Sequence, residues 1–114
     1  MLKFCKLPML GLVLAAMSCS SDDGAGMDPV DGFDCTGVTW SATISTIISS
    51  SCAISGCHVP GTGRQNFLDP ATVQLNAAGV KQRTGNRTMP QGGFLTDEQI
   101  SQIACWVDEG ASLN

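Results

Sequence analysis

The segment Cys52-Ala-Ile-Ser-Gly-Cys57-His58 sets two thiols and an imidazole close together in the chain, and His58 is the only histidine in the sequence. Sulfur and imidazole nitrogen are soft to borderline metal donors, and thiols also pair with one another. One chemistry open to the segment is a Cys52–Cys57 disulfide. A zinc site is a second, but it needs four Cys or His donors, and with a single histidine the others would have to be distant cysteines. A redox-active dithiol is a third, although such sites usually have a two-residue spacer opening a helix in an α/β setting, which is absent here. A Ser-His-Asp set would compete for the same lone histidine, so hydrolytic chemistry fits poorly.

A fourth chemistry uses all three groups at once. Two thiols near one edge of a haem can bond its vinyl groups while the neighbouring imidazole coordinates the iron, and Cys-x-x-Cys-His does this compactly. Here four residues separate the cysteines where the common motif has two, and the extra two can be looped out.

Helices must position these groups. Trp40, Ile44, Ile47 and Ile48 fall at i, i+4, i+7 and i+8, the stripe of a helix capped by Thr39 or Ser41 and running into Cys52. Gly and Pro content makes residues 56–66 a loop, after which Asp69-Pro70 supplies an N-cap and first helical residue. This second helix is expected to reach about Ala78, with Gly79 closing it, and residues 81–93 read as a long loop. Thr96-Asp97-Glu98-Gln99 is a capping box, followed by Ile100, Ile103, Ala104 and Val107 on one face and a stop at Gly110. With no repeats and no strand pattern broken by tight turns, the expected class is all-α.

From Trp40 to Ala111 the chain resembles the small monohaem cytochrome c domain, in which a helix leads to the attachment motif and a loop methionine before proline supplies the second axial ligand. Met89-Pro90 matches that feature, and the only other methionine beyond the first 18 residues is Met27. The resemblance implies three to four helices around one covalent haem c, bound through Cys52 and Cys57, with His58 and Met89 on the iron. Trp106, on the family's last helix, would pack near the haem or serve as an ordinary core aromatic, and Met89 could instead fill a gap in the core. The family's first and last helices cross, which implies a Cys35–Cys105 disulfide. With both axial positions filled, the implied role is electron transfer with redox partner proteins rather than catalysis. Two alternatives stay open: a haem-based peroxidase or ligand-binding domain if Met89 dissociates, and a non-haem, disulfide-stapled structural lipoprotein. Arg64, Lys81, Arg83 and Arg87 all lie between His58 and Met89, where they would suit haem propionates or simply decorate the surface.

At the N-terminus, Lys3 and Lys6 precede an apolar run from Leu7 to Met17, the layout of an export signal over residues 1–18. The run is shorter than the roughly 20 residues of a membrane span. Ala16-Met17-Ser18-Cys19 resembles a bacterial lipobox, with Ala16 where leucine is usual, and this implies lipidation of Cys19. An ordinary signal peptide followed by a free or disulfide-bonded cysteine is the alternative. Residues 19–34, rich in Gly, Asp and Pro, read as a flexible tether, leaving residues 35–114 as the folded domain. Without the signal, four Lys/Arg face ten Asp/Glu, a net charge of −6 that argues against nucleic acid as a partner. The expected setting is the outer membrane of a Gram-negative bacterium, on its periplasmic or cell-surface side. Membrane contact would be through the lipid anchor alone.

Overall fold

A π-helical turn opens the fold because Thr39 caps it and the chain then bonds one residue further back than an α-helix does. The Thr39 hydroxyl accepts the Ala42 N–H at 3.1 Å, while Ile44 N–H reaches the Thr39 carbonyl at 3.1 Å. The turn Trp40–Ile44 continues as α1, Ser45–Ser51, which buries Ile47 and Ile48. The computed structural model describes residues 32–114. The signal segment, Cys19 and the tether up to residue 31 lie outside the described residues. Phe33, assigned to the tether by composition, packs against the core.

Helix α2 spans Pro70–Leu75, with the Asp69 carboxylate accepting the Ala71 N–H at 3.2 Å. The chain departs from the sequence expectation here. It breaks at Asn76, then resumes as α3, Ala77–Gly85, so Gly79 is inside a helix and residues 81–85 are helical instead of loop. Ala77, Val80 and Thr84 share the buried face of α3. The Thr84 hydroxyl donates to the Val80 carbonyl at 2.8 Å, so a residue that reads as polar is satisfied internally.

Helix α4 spans Asp97–Asp108 and carries both halves of its capping box: Gln99 N–H to the Thr96 hydroxyl at 3.1 Å, Thr96 N–H to the Gln99 side chain at 3.0 Å. It ends in a Schellman arrangement, with Ala111 N–H on the Trp106 carbonyl at 2.9 Å and Gly110 N–H on the Val107 carbonyl at 3.0 Å. Gly110, at φ +107°, supplies the left-handed residue.

The described residues contain helices and no strands. Helix α4 is the central element, packed against both the π turn and α3. Ile44, Ile48, Val73 and Ile103 are fully buried in the core. A disulfide joins Cys35 to Cys105 across a separation of 70 residues, and a Lys81–Asp108 ion pair at 2.7 Å ties α3 to α4.

Candidate functional site

Helix α1 ends at Cys52, whose N–H still bonds back to the Ile48 carbonyl at 2.9 Å. The chain then folds into a tight loop. Cys57 N–H bonds to the Ile54 carbonyl at 3.0 Å, and His58 N–H to the Cys52 carbonyl at 3.1 Å. Gly56 takes φ +80°, which a side chain would resist. The two residues beyond the usual spacer are therefore absorbed in a turn, and Cys52 is returned to the neighbourhood of His58.

The histidine is held from three sides. Its carbonyl accepts the Phe67 N–H at 2.9 Å, its ring stacks on Phe67 with centroids 4.2 Å apart and planes 9° apart, and Nδ1 lies 3.1 Å from the Gln65 carbonyl. A carbonyl can only accept, so this bond assigns the proton to Nδ1 and leaves the lone pair on Nε2. Arg64 braces the same loop by donating to the Gly56 carbonyl at 3.0 Å.

Facing this loop is α3, whose Asn76, Gly79, Val80, Arg83 and Thr84 follow helical spacing and line a common cavity. Beyond α3, Thr88 N–H and Met89 N–H both bond to the Arg83 carbonyl, at 3.0 and 3.1 Å, and bring Met89 to the same cavity. The Met89–Pro90 peptide bond is cis. The cavity measures about 600 Å³, within the range of about 300–1,000 Å³ common for small-molecule and cofactor sites.

Cys52, Cys57, His58 and Met89 thus line one cavity, and every lining residue lies within residues 51–91. Cys52 and Cys57 are free thiols. Burial, and secondarily the adjacent Cys57, push the Cys52 thiol up to about 11. Among the described residues no three His, Cys, Asp or Glu side chains cluster in a way that could hold a metal ion. No helix of the described residues is long and apolar enough to cross a membrane.

The cavity has no lining carboxylate, and its charged side chains are Arg64 and Arg83. The other two cations in this region are engaged elsewhere, Lys81 with Asp108 and Arg87 with Asp97. The walls mix apolar and polar side chains and carry unopposed positive charge, so they suit a ligand with apolar surface and negative charge.

The chain matches no protein-family model, no curated protein and no solved structure.

Of the two roles open to Trp106, the structure shows that of a core aromatic. Trp106 is absent from the cavity lining; it is buried against Trp40, with ring centroids 5.6 Å apart, and its indole N–H donates to the Ser112 carbonyl at 2.8 Å. Conversely, sequence reasoning did not single out Phe67, Gln65 or Gly79. An isolated aromatic in a polar loop is the signal that could have found Phe67, whereas Gly79 reads along the chain as a helix stop.

Proposed function

We propose that residues 35–114 form a cytochrome c-like electron-transfer domain holding one haem c. What carries the reading is the cavity shared by Cys52, Cys57, His58 and Met89. The two thiols would hold the ring by thioether bonds, and the His58 imidazole and the Met89 thioether would hold its iron. Two observations test the fit and favour it: the donor set pairs one imidazole with one thioether, and Gly79 contributes no side chain to the cavity wall, where a Cβ would meet no atom within 4 Å. When bound, haem c supplies one-electron transfer between ferric and ferrous iron.

The chain's own residues tune that site. The Nδ1–H bond of His58 to the Gln65 carbonyl fixes the ring orientation and leaves Nε2 as the donor atom. Stacking on Phe67 resists rotation of the imidazole. Met89 is a soft donor that favours the ferrous state and so raises the reduction potential relative to a second imidazole. Arg64 and Arg83 supply positive charge toward propionates, and no lining carboxylate opposes them. Two protein ligands leave no coordination position for a substrate, which is why the proposed role is electron carriage to and from redox partner proteins. Export and lipidation at Cys19 complete the proposal, with the acidic segment that follows as tether to the outer membrane.

The test is a reduced-minus-oxidised absorption spectrum with pyridine haemochrome and intact mass, on protein produced in a host that attaches haem c. A covalent haem at one per chain is expected. A colourless protein with a Cys52–Cys57 disulfide would replace the proposal with a stapled, non-haem lipoprotein.

A further inference from the structure

Gly79 is a costly residue where it stands. It lies within α3 with helical backbone, where glycine is less favourable than alanine. Gly56, Gly61, Gly63 and Gly110 are accounted for by positive φ, but Gly79 is not among the positive-φ residues. Nor does close packing demand it: a Cβ at this position would meet no atom within 4 Å. Folding therefore gives no reason for a glycine here.

The cavity does give one. Asn76 and Val80 flank Gly79 on the stripe of α3 that lines the cavity, and Arg83 follows one turn later. A side chain at 79 would stand in the middle of that wall, between an apolar neighbour and a guanidinium, opposite the loop that carries Cys57 and His58. We propose that Gly79 is a specificity-determining position, its missing side chain leaving the space in which one face of a flat, apolar, anionic ring lies against α3. The identity of that ring as haem rests on the function proposed above; the seat itself rests on the cavity and the helix.

The experiment compares wild type, G79A, G79L and the control A78L, whose substituted residue is exposed and lines no part of the cavity. Each is made without haem maturation, thiols reduced, and titrated with metal-free protoporphyrin IX by fluorescence quenching; each is also made with maturation and weighed for covalent haem. Urea unfolding of the ligand-free forms checks the fold. G79A is expected to raise the urea midpoint while weakening porphyrin binding several-fold, and G79L to weaken it tenfold or more and lower haem occupancy. A78L should bind as wild type does.

Binding by G79L within twofold of wild type overturns the proposal, as does an equal loss in A78L. Wild type that binds porphyrin through Gly79 but acquires no covalent haem upholds the seat and refutes the haem c function. Wild type that binds neither overturns both.

Discussion

Removing the Cys35–Cys105 bridge by the double substitution C35A/C105A should cost most of this domain's stability. The bridge spans a separation of 70 residues, and the loss of loop entropy in the unfolded chain is about 15 cal/mol/K, or about 4.4 kcal/mol at 25 °C. Cys105 is 1% exposed, so truncating it also leaves a small void, worth about 1 kcal/mol more. Against a total of about 5–15 kcal/mol for an ordinary domain, the variant would be left near its folding threshold. At about 1–1.5 kcal/mol per molar urea, the unfolding midpoint should fall by roughly 3.6–5.4 M. Fluorescence of the Trp40–Trp106 pair, whose rings lie 5.6 Å apart, reports the transition. Wild type unfolded in dithiothreitol separates the two terms, since it loses the cross-link but keeps both sulfurs. A variant midpoint indistinguishable from that of oxidised wild type would show that the bridge does not constrain the unfolded chain, and the entropy argument would be wrong.

Three further outcomes are expected. Met89→Ala, in protein matured with haem, should keep the covalent group but lose the thioether–iron absorption band and shift the potential downward; an unchanged spectrum and potential would rule Met89 out as a ligand. In unmatured protein Cys52 is an acid whose value burial raises to about 11, so at neutral pH it is the protonated thiol. Its iodoacetamide alkylation, followed by peptide mass spectrometry, should climb about tenfold per pH unit between pH 8 and 10, with only about a thousandth present as thiolate at pH 8; a rate already at its plateau by pH 9 would contradict the burial. Thr96→Ala removes the hydroxyl that caps α4 and should cost about 1 kcal/mol, a fall of roughly 4–8 °C in Tm by circular dichroism.

The helices that frame the site are legible because their signals are local. The spacing of Trp40, Ile44, Ile47 and Ile48, and the Thr96–Gln99 box, each report on a single turn or stripe. The middle of the chain is less so. Asn76 breaks a helix that periodicity carries onward, and Gly79 continues one that it appears to end, because Ala77, Val80 and Thr84 bury a face whose last member reads as polar. The cysteine–histidine segment announces itself by composition, yet the wall opposite it does not. Phe67 and Gly79 belong to the cavity through contacts across the fold, which no spacing along the chain encodes. Trp106 shows the converse limit: helical periodicity places it on α4 but cannot tell which neighbour its ring meets, which in the fold is Trp40.

Because the whole cavity lining falls within residues 51–91, while the π turn, α4 and the disulfide lie outside that stretch, the cavity wall and the scaffold draw on largely different side chains. Only a few residues, Phe67 and Val80 among them, serve both. Randomising the lining residues that the core does not use would sample new ligand sets while Val73, Ala77 and the other buried residues of the same stretch keep the fold, so this small domain offers a natural starting point for selecting altered cofactor sites.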